Sequence, residues 1–223
     1  MARPLAQIAQ GLKTYSSTGK GTSASDSAHA QRTLTALHER LMRLDPPPPA
    51  RTLHTLVVRL VGDEAELAGE LHRTAVFLPR FKAAVAPLKP VTATLDRTLR
   101  SSRTAATQAR ALSVYSNALD APLASLASLH PSPVLRPAYD TQLQRLQRLR
   151  KGAVALAAAL RSGKRTAAAA AVVAFEQAAR TGNDVAAQKA QIAAVKAYNA
   201  KVARIEALTG RVRAQLSALA SLG

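Results

Sequence analysis

The strongest constraint on the fold lies near the end of the chain, where Ile192, Val195, Tyr198, Val202, Ile205, Leu208, Val212, Leu216 and Leu219 step by three or four positions without a gap. On an α-helix these residues form one seam, so the segment reads as a helix of about 35 residues and about 50 Å, packed along its length on partner helices. The rest of the chain agrees. Of 223 residues, 49 are Ala and 30 are Leu, against 3 Phe, 4 Tyr and no Trp. Ala and Leu lead the helix-propensity scale, and the residues that favour strands are scarce.

Upstream, the helical period is punctuated by prolines. Leu34, Leu37, Leu41 and Leu44 keep the spacing until Asp45 and Pro46 to Pro49 stop it. A second helix restarts near Arg51 with Leu53, Val57, Leu60, Leu67 and Leu71, and Pro79, Pro87 and Pro90 predict a kinked or broken far end. A third is expected after Pro90, burying Val91, Leu95, Leu99, Leu112 and Leu119. A fourth runs from Tyr139 to Leu160. Ser162 and Gly163 interrupt before an Ala-rich helix, and Thr181 to Asp184 form a turn whose Asp184 can cap the last helix. Ser16 to Asp26 have linker composition, so residues 1–28 are read as a flexible arm and 29–223 as a single helical domain.

Laid on itself at an offset of 85 residues, the chain repeats. Leu34, Ala36, Leu41, Leu44, Pro46, Pro48, Arg51, Ala68 and Leu71 fall on Leu119, Ala121, Leu126, Leu129, Pro131, Pro133, Arg136, Ala153 and Leu156, and His54 falls on Tyr139. The units, about 34–75 and 119–160, each describe a helix, a proline-rigidified turn and a longer returning helix. The expected fold is therefore all-α, an antiparallel bundle of about five or six helices built from two Pro-turn hairpins.

The Leu-x-x-Leu-x-Pro-x-Pro turn leading to His54 or Tyr139, with the Ala197 to Val202 segment Ala-Tyr-Asn-x-x-Val in a long basic helix, resembles exported Ala- and Arg-rich helical proteins of high-GC actinobacteria. The resemblance covers roughly residues 30 to 75 and 119 to 220. It implies a cell-envelope location and carries no known activity.

The 31 Lys and Arg against 13 Asp and Glu give a formal charge of +18, attractive to nucleic acid, anionic lipid or an acidic polymer. The cations Arg145, Arg148, Arg150, Lys151, Arg161, Lys164 and Arg165 occupy a stretch with no acid from Thr141 to Phe175, which makes them the candidate anion-binding set. No aromatic residues interleave with them, so base stacking is not indicated and any nucleic-acid binding is expected to be nonspecific. The cations of the last helix, Lys189, Lys196, Lys201, Arg204, Arg211 and Arg213, read as solvated flanks of its seam. The seam itself, Ile192 through Leu219, is the candidate surface for a protein partner or a second copy.

No cysteine is present, which excludes disulfides, thiolate metal sites and a cysteine nucleophile. The longest apolar runs, Ala153 to Leu160 and Ala167 to Phe175, fall far short of a membrane span. Met1 to Ser25 hold no apolar stretch of secretion-signal length. The expected location is cytoplasmic for the chain as it stands, or the envelope if a leader has been removed.

Asp63, Glu64, Glu66 and Glu70 form the most acidic stretch, read as a solvated face beside Arg73 and Thr74. No Glu-x-x-His pair accompanies them, and His29, His38, His54, His72 and His130 include no i, i+4 pair, so no metal site is expected. His54 is assigned a packing role at helix entry. The segments around Gly19 to Thr22 and Ser162 to Thr166 lack the first glycine of a phosphate loop, and no Gly-x-Ser-x-Gly elbow occurs. Neither catalytic residues nor a cofactor is expected. The reading is a non-catalytic structural or interaction protein presenting a basic helical surface to an anionic partner, with a nonspecific nucleoid-type nucleic-acid-binding protein and a helical adaptor acting through the C-terminal helix as the alternatives.

Overall fold

The computed structural model describes residues 23–180 and 185–221. Every regular element among them is helical: α1 (Ala24–Met42), a 3-10 turn (Pro48–Ala50), α2 (Arg51–Val85), α3 (Leu88–Ser101), α4 (Ala105–Ala118), α5 (Asp120–Ala127), α6 (Arg136–Ser162), α7 (Arg165–Arg180) and α8 (Val185–Ala220). The protein is an all-α helical bundle. By packing, the chain divides into two compact units. One comprises Met1–Val76, Ser132–Val134 and Ala193–Gly223, and the other Phe77–Pro131 and Leu135–Ile192.

In the first unit, Ser23 caps α1 by accepting the Asp26 N–H at 3.1 Å, satisfying a donor that the helix start leaves open. Residues 24–28, read from sequence as part of an arm, thus belong to a helix, and Ser27 is buried there. Residues 1–22 lie outside the described residues. Leu34 of α1 packs on Val61 and Ala68 of α2. The helices approach closely at two glycines, where a Cβ would stand 3.2 Å from His38 Nε2 at Gly62 and 2.9 Å from Gln31 Nε2 at Gly69. Another face of α2 carries Leu56 and Leu60, which receive Leu208 of α8 with Ile205 and Val212 beside it.

The second unit is built around Leu112, Leu119, Leu126 and Ala153, each without measurable exposure. Phe77 stacks on Phe81 at 5.4 Å and meets Tyr139 edge-on at 5.8 Å. Helix α6 stops at Gly163, whose φ of 68° lies in the left-handed region that a side chain disfavours. The chain then returns as α7, and Phe175 fits against Gly152. The expected turn at Thr181 to Asp184, with its Asp184 cap, lies outside the described residues.

The expected break at the far end of α2 falls at Ala86 and Pro87, while Pro79 lies inside the helix, which runs on to Val85. One sequence expectation is corrected here. Leu112 and Leu119 do not share a helix with Val91, Leu95 and Leu99. Ser102 turns extended, Thr104 caps a new helix by accepting the Thr107 N–H at 3.2 Å, and Leu112 falls on α4 with Leu119 at its end.

The two proline-turn hairpins match at the 85-residue offset. Helices α1 and α5 end at Met42 and Ala127, and α2 and α6 begin at Arg51 and Arg136. In the first hairpin the Leu41 carbonyl accepts the Leu44 N–H at 3.1 Å and lies 2.8 Å from His54 Nε2. In the second, the Leu126 carbonyl accepts the Leu129 N–H at 2.9 Å and the Tyr139 hydroxyl at 2.6 Å. A carbonyl only accepts, so His54 Nε2 carries hydrogen in this contact. Each ring thereby gives a helix-terminal carbonyl a second donor beside the N–H of the turn, tying the returning helix to the end of the first. Buried positions correspond as well: Leu34 with Leu119, Val61 with Leu146, Glu64 with Leu149, and Ala68 with Ala153. Burial raises the Tyr139 phenol above its ordinary pKa, with the Asp140 charge adding to the effect. Tyr139→Phe is expected to cost about 1 kcal/mol in urea unfolding, because it deletes one hydrogen bond and no packing volume.

Candidate functional site

Helix α2 carries Asp63, Glu66 and Glu70 at i, i+3 and i+7, a spacing that places them on one face. That face is occupied rather than solvated. Lys201 Nζ of α8 lies 2.7 Å from Glu66 Oε1 and 2.6 Å from Glu70 Oε1, and Arg204 Nε lies 2.8 Å from Asp63 Oδ2. The Lys201 and Glu70 side chains are 15% and 9% exposed, so this pair is largely withdrawn from water, whereas Glu66 is 57% exposed. Burial alone would lower the Lys201 pKa, but the hydrogen bonds to Glu66 and Glu70 together with their charges outweigh it and hold the ammonium above the usual lysine value. The same hydrogen bond holds the Glu66 carboxyl below its usual range. The reading of Lys201 as a solvated flank is thus corrected. Sequence spacing could show that the acids share a face, but not that their partners lie 131 to 141 residues away.

Beside this network, Glu64 is 5% exposed and its Oε1 has no hydrogen-bond partner. Burial pushes its carboxyl up to about 7. Sequence reasoning grouped Glu64 with the other acids; its only distinguishing signal was that Leu149 stands at the matching position of the second hairpin.

The seven candidate cations divide into two groups. Three are engaged within the bundle: Arg145 Nη2 donates to the Ala179 carbonyl at 3.0 Å, Arg150 pairs with Asp120, and Arg161 donates to the Ser113 hydroxyl. Arg145 in this way meets the electronegative end of α7. The other four, Arg148, Lys151, Lys164 and Arg165, are exposed and make no ion pair or side-chain hydrogen bond to another residue of the described chain. Arg148 and Lys151 share a face of α6, while Lys164 and Arg165 flank the start of α7.

The seam of α8 is likewise divided. Leu208 is buried, Ile205 and Val212 pack beside it against α2, and Tyr198, Val202 and Leu219 are half-buried, whereas Ile192, Val195 and Leu216 are 55%, 40% and 50% exposed. Burial raises the Tyr198 phenol, reinforced by the Glu70 charge.

The histidines do not converge. His54 and His72 reach the backbone carbonyls of Leu41 and Ala24, and no group of three or more metal-ligating side chains forms among the described residues. An open groove between α3 and α4 is lined by Val91, Leu95, Thr98, Arg110, Val114 and Tyr115. Burial raises the Tyr115 phenol. No described helix is long and apolar enough to cross a membrane. Comparison with family models, curated proteins and solved structures finds no match to this chain.

Proposed function

We propose that the chain is a non-catalytic interaction protein whose second unit presents a basic helical surface to an anionic partner. The supporting observation is the split among the cations: three are spent on holding helices together, while Arg148, Lys151, Lys164 and Arg165 stand exposed without acid partners. The charge is also unevenly placed. The second unit contains 17 Lys and Arg against 5 Asp and Glu, the first 14 against 8, formal charges of +12 and +6. In this reading the two hairpins are copies of one ancestral unit, supported by their matched helix boundaries and by the parallel His54 and Tyr139 contacts.

Duplex DNA serves as a polyanion probe. If all four exposed cations contact phosphates, affinity is expected to fall about 100-fold between about 50 and 200 mM salt. Replacing the four with alanine is expected to remove most of that dependence. Absence of binding at the lower salt, or an unchanged salt slope in the variant, would sink the reading. A second reading, docking through α8, is favoured only at the exposed residues Ile192, Val195 and Leu216. It requires a solution mass above that of one chain, or a drop in partner binding on Leu216→Ser.

A further inference from the structure

The matched hairpins allow a comparison that neither unit permits alone. In the first, Asp63, Glu66 and Glu70 form the acidic face of α2, and the basic residues Lys201 and Arg204 of α8 lie along it. At the 85-residue offset those three positions are Arg148, Lys151 and Ala155 of α6. The sign of the charge is reversed at two positions and the third is a small side chain. Coverage differs too: Glu70 is buried beneath α8, whereas Arg148, Lys151 and Ala155 are all exposed. Helix α7 does pack on α6, but at Arg145, which it receives through the Ala179 carbonyl, and at Gly152, where Phe175 sits. It leaves the 148, 151 and 155 face open.

From this juxtaposition we infer that the face of α6 bearing Arg148, Lys151 and Ala155 is a docking surface for an acidic amphipathic helix of a protein partner, whose carboxylates meet Arg148 and Lys151 as the cations of α8 meet Asp63 and Glu66. The inference rests on the reading above and names the partner of that basic surface. Charge complementarity fixes the chemistry of the occupant. Where α8 offers Lys201 and Arg204, three residues apart, to acids, the partner helix offers two carboxylates at the same i, i+3 spacing to Arg148 and Lys151. Ala155 in place of Glu70 leaves room for a close helix approach. The helix-in-groove mode needs no stacking residues, which this surface lacks. An extended polyanion would not require the i, i+3 register.

The chain itself supplies the probe. A labelled peptide spanning 193–210, with Lys201→Glu and Arg204→Glu, is titrated into the full-length protein, and the unaltered peptide serves as its control. The charge-reversed peptide is expected to bind and the unaltered one to bind far more weakly. Arg148→Glu with Lys151→Glu is expected to weaken the reversed peptide about tenfold or more and to reverse the preference toward the unaltered peptide. Arg148→Gln with Lys151→Gln gives a milder loss without the swap, and circular dichroism checks that both variants keep their helices. Equal binding of the reversed peptide to wild type and variant, or no binding to wild type, overturns the inference. Duplex DNA titrated in parallel separates the two levels: binding of DNA but not of the peptide leaves the basic-surface reading standing and removes the helix partner. Binding of neither removes both.

Discussion

Lys201→Met is expected to destabilise the first unit by about 3 to 5 kcal/mol, the cost of breaking a buried ion pair by removing one partner. The methionine keeps most of the packing volume, so the loss is electrostatic. Glu70, 7% exposed on α2, would be left with its carboxylate withdrawn from water and without its ion-pair partner. The companion variant Lys201→Met with Glu70→Leu is expected to recover much of that loss, because two apolar groups of similar shape carry no desolvation debt. Glu66→Gln removes the outer, half-exposed partner and is expected to cost less than about 1 kcal/mol. Hydrogen exchange of the α8 amides checks the series, since detachment of α8 from α2 raises their exchange before the second unit opens. A loss below about 1 kcal/mol for Lys201→Met would show that water screens the pair.

The second large effect concerns pH. Glu64 has a carboxyl held at about 7 in the folded chain against 4.5 for the free side chain. Between those values the native state binds more protons than the unfolded state, so stability falls as pH rises, and above about 7 the loss is complete. A shift of this size corresponds to about 2 to 3 kcal/mol after allowance for partial solvent access. Glu64→Leu is expected to remove this component, so that its advantage over wild type grows from pH about 4.5 to 7 and then levels off. Leu149 at the matching position of α6 shows that leucine suits a buried site in this hairpin. Urea melts at several pH values give the comparison, and a pH-independent difference between the two proteins would show that Glu64 is not buried as a neutral acid.

Much of the hairpin geometry was legible in the sequence because its determinants are local. The proline clusters at Pro46 to Pro49 and Pro131 to Pro137 mark the turns, and the alignment of His54 with Tyr139 singled out the residues that close them. The end of α6 at Ser162 was legible for the same reason, since Gly163 tolerates the left-handed backbone that terminates a helix. Of the prolines expected to kink or break the far end of α2, Pro87 stands at the break, whereas Pro79 sits inside the helix, because a proline removes only one donor from it. The acidic face was read as solvated because no spacing rule reports a partner more than a hundred residues away. The same limit applies to the seven cations, which look alike in sequence until Asp120, Ser113 and the end of α7 claim three of them. The burial of Glu64 had only one hint, the leucine 85 residues later.

The interleaved order of the two units has a consequence during synthesis. The first unit needs the 193–221 part of α8 as well as residues 23–76, while the second is encoded between them. A chain emerging from the ribosome therefore contains the whole second unit before that part of α8 exists. Units that fold as they emerge can complete in that order. Until α8 arrives, Leu56 and Leu60 lack their cover and Asp63, Glu66 and Glu70 lack their cations, so the nascent first hairpin is an incomplete, acid-faced intermediate. Stalled chains that expose residues up to 192 outside the ribosome should accordingly protect the second unit from proteolysis while leaving the 51–76 part of α2 more open to cleavage.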